Sequence, residues 1–132
     1  MLERIVLAYD FSEACDDALA WTVDLARAVH GRVHMVHVTG AHSDDDDPGL
    51  NALRRDLAVA ADEAGPEVVS HVLARSDIAK ALVHFAEELN ADAMVLATRG
   101  GGGVARLLLG SVADEVIRTA PCPVITLRAE ED

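Results

Sequence analysis

Ala93-Met94-Val95-Leu96-Ala97-Thr98-Arg99-Gly100-Gly101-Gly102-Gly103 runs an apolar, strand-like segment straight into four consecutive glycines. Glycine has no Cβ, so such a run permits positive φ and lets a ligand approach the backbone closely. Successive N–H groups in a turn of this kind form a nest for an anion. Gly110-Ser111 follows ten residues after Gly100. It reads as the start of a further helix, and Ser111-Val112-Ala113-Asp114 has the form of a capping box. Helix N-termini also favour negative charge. A strand, a glycine loop and a helix start in this order predict a phosphate-containing ligand.

Upstream, the same alternation recurs. Arg4 to Tyr9 reads as a short buried strand. Ser12 is a candidate N-cap for a helix with Cys15, Leu19, Thr22, Ala26 and Val29 on one face, widened by Leu25 and closed at Gly31. Val33 to Val38 is a second strand, with His34 and His37 on opposite faces. Gly40 to Gly49 reads as a loop carrying Asp44-Asp45-Asp46-Asp47-Pro48. Leu50 to Ala64 is the next helix, ended by Gly65-Pro66, and its stripe is Leu50, Leu53, Leu57 and Ala61. Val68 to Leu73 alternates weakly, which suits a sheet edge. Ser76 or Asp77 caps a helix with Ile78, Leu82, Phe85, Ala86 and Leu89 inward, and Asn90 closes it.

Downstream of the glycines, Val104 to Leu109 reads as a short helical turn. The last helix then turns Val112, Val116, Ile117 and Ala120 inward, and Val124 to Leu127 is a fifth strand. The order βαβαβαβαβ over residues 1–132 predicts one domain: an α/β fold with a doubly wound five-stranded parallel sheet, helices on both faces and right-handed crossovers. Ligands in such sheets bind beyond the carboxyl ends of the strands, at the topological switch point. Asp10 and the Thr98 to Gly103 segment follow strands one and four.

Composition narrows the function classes. The 132 residues carry 23 acidic and 11 basic side chains, a formal net charge of −12. That balance argues against nucleic acid as a partner, since phosphate backbones need a basic patch. No apolar stretch is long enough to span a bilayer, so no membrane partner is expected. The N-terminus enters Ile5-Val6-Leu7 without a basic region or cleavage site, so no leader is expected and the location reads as cytoplasmic. The acidic excess with a single lysine, Lys80, resembles proteins of salt-rich cytoplasm. Cys15 and Cys122 make no disulfide framework and no metal spacing, and read as small buried residues. His42 beside the aspartate run reads as part of a solvated loop, His37 as a buried structural residue. No metal site is expected. No Ser-His-Asp or Cys-His arrangement stands out, so no catalytic residue is assigned and the chain reads as a binder rather than an enzyme.

Known phosphate motifs discriminate further. A P-loop needs Gly-Lys, which is absent. Gly100-x-Gly102-x-x-Ala105 mimics a dinucleotide fingerprint, but the acidic residue expected about 20 positions on is missing. What matches is the pattern of the universal stress protein family, over essentially the whole chain. Ile5-Val6-Leu7-Ala8-Tyr9-Asp10-Phe11-Ser12-Glu13-Ala14 resembles its opening strand, acidic residue and helix cap. Val36-His37-Val38 resembles the end of its second strand. Leu107-Leu108-Leu109-Gly110-Ser111-Val112-Ala113 and Ala120-Pro121-Cys122-Pro123-Val124 resemble its last third. Its ATP-binding members carry G-x-x-G, nine residues, then G-[ST]. Gly100, the nine residues Gly101 to Leu109 and Gly110-Ser111 fit, while Ala97 stands where the first glycine would be. Ser76-Asp77-Ile78 departs from a Gly-x-Pro found in many members.

The resemblance implies the strand order 3-2-1-4-5 of adenine nucleotide alpha hydrolase-like folds, and ATP or AMP as ligand. Asp10 would accept hydrogen bonds beside the adenine or ribose, and Val38 would meet adenine through its backbone. Ala97, Arg99, Gly100 and Gly103 would line the ribose and phosphate path. Gly110, Ser111 and Val112 would hold phosphates by backbone N–H groups and the Ser111 hydroxyl, with any Mg²⁺ carried mainly by the phosphates. It also implies a homodimer through the last strand and a regulatory role toward an unknown protein partner. Two functions follow: a nucleotide-binding stress regulator, or a dimeric interaction module that has lost the nucleotide because of Ala97. A slow ATPase finds no base or water-positioning residue among these side chains.

Overall fold

Short runs of Ile, Val and Leu separated by amphipathic segments leave each strand apolar on both faces, which only a sheet covered twice can bury. The computed structural model describes residues 2–40, 47–99 and 104–129 and has that form. Five strands, β1 (Arg4–Ala8), β2 (Arg32–Thr39), β3 (Val68–Ala74), β4 (Ala93–Arg99) and β5 (Val124–Ala129), form one parallel sheet in the order β3-β2-β1-β4-β5. Four helices connect them: α1 (Glu13–Val29), α2 (Pro48–Ala64), α3 (Ile78–Leu89) and α4 (Val104–Thr119). The expected α/β architecture and strand order are present.

Strand alternation sends side chains to two cores. Ile5, Leu7, Met35 and Val95 pack with α1 and α2, while Val6, Val36, Met94 and Leu96 pack with α3 and α4. Ile5, Val6 and Leu7 are all fully buried, which marks β1 as the central strand. β3 and β5 are the edges, and β3 is half-buried along its whole length. The Asp92 carboxylate, just before β4, ties that strand to the beginning of β1. It accepts from the Glu3 and Arg4 N–H groups at 2.9 and 3.0 Å. Among the described residues no helix is long and apolar enough to cross a membrane.

Caps follow the sequence at most ends. The Ser12 hydroxyl accepts from the Cys15 N–H at 3.2 Å, and Asp77 rather than Ser76 caps α3 by accepting from the Lys80 N–H at 3.1 Å. Asn90 closes α3 in the left-handed conformation (φ 59°). Four expectations need correction. The 40–49 loop ends earlier, because Asp47 is the N-cap of α2 and accepts from the Gly49 N–H at 2.7 Å, with Pro48 opening the helix. The residues 41–46, including His42 and Asp44, Asp45 and Asp46, lie outside the described residues. The left-handed residue that closes α1 is His30 (φ 59°), one position before Gly31.

The third correction concerns Gly110-Ser111. They do not start a helix, because α4 begins at Val104 and runs through them. Val-Ala-Arg-Leu-Leu-Leu at 104–109 are mostly strong helix formers, and one interior glycine costs only about 1 kcal/mol. The capping box at Ser111 is therefore not formed. Finally, two residues expected to face inward are exposed: Ile117 at 51 %, since the α4 stripe is Val112, Ala113 and Val116, and Ile78 at 43 %, at the first position of α3.

Candidate functional site

β1, β2 and β3 are laid down in one direction across the sheet and β4 and β5 in the other, so the switch point lies between β1 and β4. Crossovers diverge there and leave a crevice at the carboxyl ends. A cavity of about 280 Å³ opens at that place, close to the small end of ligand pockets, roughly 300–1,000 Å³. Its walls are the strand-end residues Ala8, Val36, Val38 and Leu96, with Ile78 and Leu82 from α3 and Val112 and Ala113 from α4. Tyr9, Asp10, Cys15, His37 and Ala97 complete the lining. The lining is thus mainly aliphatic, and Asp10 is its one acidic member among the described residues.

Asp10 sits just past β1 and is exposed. One carboxylate oxygen accepts from the Ser12 N–H at 2.9 Å, an Asx turn that leads into α1. Tyr9 is buried and its hydroxyl donates to the Asp16 carboxylate. Burial, then the hydrogen bond and charge of Asp16, raise the Tyr9 pKa well above its ordinary value, so the phenol stays protonated. Burial likewise pushes the Cys15 thiol up to about 12. Its Sγ lies 3.6 Å from the Ala8 carbonyl oxygen as a weak donor. A thiol held this way is not a nucleophile at neutral pH. The half-buried Cys122 thiol is also raised, chiefly by burial. Cys15 therefore fits the buried reading, whereas Cys122 is only half-buried.

Ala97 occupies the position where a glycine was expected. It lies in β4 opposite Leu127 and is 7 % exposed. It belongs with Val95 and Leu127 to the core on the α1 side, whereas its neighbours Leu96 and Met94 face α3 and α4. Alternation thus sends the Ala97 methyl group into the α1-side core, while the residue also forms part of the cavity wall.

Of the residues singled out in the sequence, Asp10, Val38, Ala97 and Val112 come together on this cavity. Gly110 and Ser111 precede Val112 within α4, Ser111 exposed and Gly110 half-buried. Arg99 ends β4 opposite Ala129. Gly100 and Gly103 lie outside the described residues. Sequence reasoning missed Tyr9, Ile78, Leu82 and Leu96 as lining and read His37 as structural only. The helix stripe had already marked Ile78 and Leu82 as apolar, but a stripe does not distinguish a core from a cavity wall. His37 is half-buried and does both: it lines the cavity and its Nδ1 lies 2.9 Å from the Tyr9 carbonyl oxygen. Among the described residues no cluster of three metal-ligating side chains occurs.

Comparison with known proteins supplies relatives for this architecture. A model of the Usp family, described as the universal stress protein family, matches residues 1–128. A universal stress protein of Thermus aquaticus is 33% identical over 137 residues, covering 97% of this chain and 100% of that protein. The structure of the Archaeoglobus fulgidus universal stress protein in complex with dAMP superposes with a TM-score of 0.74 at 28% identity, covering 96% of this chain and 98% of that one. A universal stress protein in complex with cAMP shares the fold with a TM-score of 0.80 at 22% identity, covering 97% and 98% of the two chains.

Proposed function

The chain belongs to the universal stress protein family, and on that footing we propose that it binds ATP or AMP at the carboxyl edge of its sheet and acts as a cytoplasmic stress-response regulator. The cavity carries this reading. An aliphatic slot with one exposed carboxylate at the switch point suits a flat purine with a hydroxyl-bearing sugar. The dAMP complex of the Archaeoglobus fulgidus relative supports the ligand class. In this reading the purine packs against Val38, Ile78 and Leu82, and Asp10 accepts from the ribose. The position of Ala97 favours it over loss of the nucleotide, since its methyl group belongs to the α1-side core.

The phosphates are assigned to the Gly100 to Gly103 segment, with Arg99 and Ser111 beside it. Because α4 passes through Gly110, Ser111 and Val112, their N–H groups lie in the helical hydrogen-bond ladder. The Ser111 hydroxyl and the N-terminus of α4 are then the donors offered to phosphate. Mg²⁺ would be carried by the phosphates, which supply its oxygen ligands while it keeps several waters. With Tyr9 and Cys15 both held protonated, the site reads as one for binding rather than hydrolysis.

A thermal shift or calorimetric titration with AMP, and with ATP with and without Mg²⁺, tests this. A ligand at 100 times its Kd adds about 2.7 kcal/mol of stability. Gly110→Val and Ser111→Ala should each weaken the ATP shift. A Cβ added at Gly110 meets nothing within 4 Å outside its own helix backbone, so with the stability of the ligand-free variant measured alongside, a lost shift reports on the ligand. Retention of the full shift in both variants displaces the phosphate seat. No shift at millimolar nucleotide sinks the reading and favours the dimeric interaction module. In both functions a homodimer forms through the edge strand β5, and light scattering that finds only monomer at high concentration removes it.

A further inference from the structure

Phe11 adopts a conformation that its side chain disfavours. Its φ of 64° lies in the left-handed region, where a bulky residue is an outlier that its surroundings must hold in place. Two rings do so. Phe11 meets Tyr9 edge to face with centroids 5.1 Å apart, and His37 edge to face at 5.0 Å. The third side of this aromatic triangle is polar: His37 Nδ1 lies 2.9 Å from the Tyr9 carbonyl oxygen. A carbonyl only accepts, so Nδ1 carries the proton and donates.

The Tyr9 residue is thus gripped twice by β2. Its N–H donates to the Val36 carbonyl at 2.8 Å, and its carbonyl accepts from the His37 ring. Fixing that carbonyl fixes the plane of the peptide joining Tyr9 to Asp10. It therefore fixes the direction in which Asp10 leaves the strand. The Asx turn from Asp10 to Ser12 and the left-handed Phe11 between them complete the same turn. Tyr9, Asp10 and His37 all line the cavity.

We infer that His37 is a positioning residue for the nucleotide site, holding the Tyr9 to Phe11 turn so that the Asp10 carboxylate is aimed at the ligand. This rests on the adenine-nucleotide reading of the cavity. It deepens that reading by naming a residue on β2 that acts through β1 rather than on the ligand. A side-chain amide nitrogen in Asn sits near the position of Nδ1, whereas in Gln it sits near Nε2, out of line with the Tyr9 carbonyl.

Calorimetric titration of the full chain with AMP, well below the thermal midpoint of each variant, tests this. His37→Leu and His37→Gln should weaken AMP by about tenfold, the loss of one well-placed hydrogen bond. His37→Asn should restore most of the affinity. Asp10→Ala should weaken AMP, and adding His37→Leu to it should cause little further loss, because the two residues act as one unit. His37→Gln carries the test if His37→Leu does not fold. AMP affinity at the parental level in His37→Gln overturns the inference, even with a lowered thermal midpoint, since a purely structural residue would behave that way. Losses that multiply in the double variant overturn it as well. Failure of the unaltered chain to bind AMP removes the nucleotide reading and this inference together, whereas the other outcomes leave that reading standing.

Discussion

Gly31 shows how a correct local reading can miss the governing contact. A glycine after an apolar helix stripe signals a helix end, and α1 does end there. Yet the left-handed position belongs to His30, and the Gly31 N–H completes the cap by donating to the Ala26 carbonyl at 2.9 Å. What requires glycine is distant in sequence. A Cβ at position 31 would lie 2.2 Å from the Leu2 carbonyl oxygen, backbone that leads into β1. Gly31→Ala should therefore lower stability by about 1–3 kcal/mol, as overpacking against an immovable neighbour does. Urea unfolding of the variant checks this, and an unchanged midpoint would refute it. Asp10 was legible because a strand end precedes it and a helix cap follows it in sequence. His37 was half legible: its position in β2 was clear, but its bond to Tyr9 depends on how β1 and β2 align.

Registers between elements create a second feature that periodicity could not reveal. His34 on β2 and His71 on β3 meet with Nδ1 and Nε2 3.0 Å apart, and Phe85 of α3 lies against them. Their centroids are 5.2 Å apart and their planes 24° apart, the arrangement of two five-membered rings joined end to end by that contact. One ring donates and the other accepts. A first proton can enter at the outer nitrogen of the donor, but a second must take the accepting lone pair and break the bond. Burial lowers both pKa values, and for His34 the neighbouring His71, Arg32 and Arg4 lower it further. The polar residues of α3 around Phe85, namely Lys80, His84, Glu87 and Glu88, are exposed, with His84 Nε2 2.8 Å from a Glu88 carboxylate oxygen.

The unfolded chain, with His near pKa 6.5, therefore takes up these protons before the native one. Stability from the pair is fully present above about pH 6.5 and is lost as the pH falls below that value toward the native pKa values. Denaturant midpoints from pH 7.5 down to 5 should fall for the parent chain and flatten in His71→Gln, which hydrogen-bonds without titrating. Equal slopes in the two proteins would refute the assignment. At the same scale α4 was the least legible element. A serine three residues before an aspartate looks like a cap whether or not the preceding turns continue the helix, and only propensity across 104–109 separates the two cases.

For the molecule as a whole, alternating apolar and amphipathic segments were enough to read the layered parallel sheet, since no other packing hides strands that are apolar on both faces. The cavity was less legible, because its walls come from β1, β2, β4, α3 and α4 at once. The charge of −12 is also a property of the whole. Self-repulsion destabilises the compact state, and salt screens it over a Debye length of about 10 Å at 0.1 M. Thermal stability should rise from low salt to molar KCl, and a flat response would remove the salt-adaptation reading. The strand order carries one more consequence, for synthesis. β1 is made first and sits at the centre. It finds β2 early, but the partner on its other flank is β4, and the joining pair Arg4 and Asp92 are 88 residues apart. At translation rates of roughly 5–20 residues per second, the flank at Ile5, Val6 and Leu7 stays open for seconds on every ribosome, and whatever shelters a nascent strand acts there.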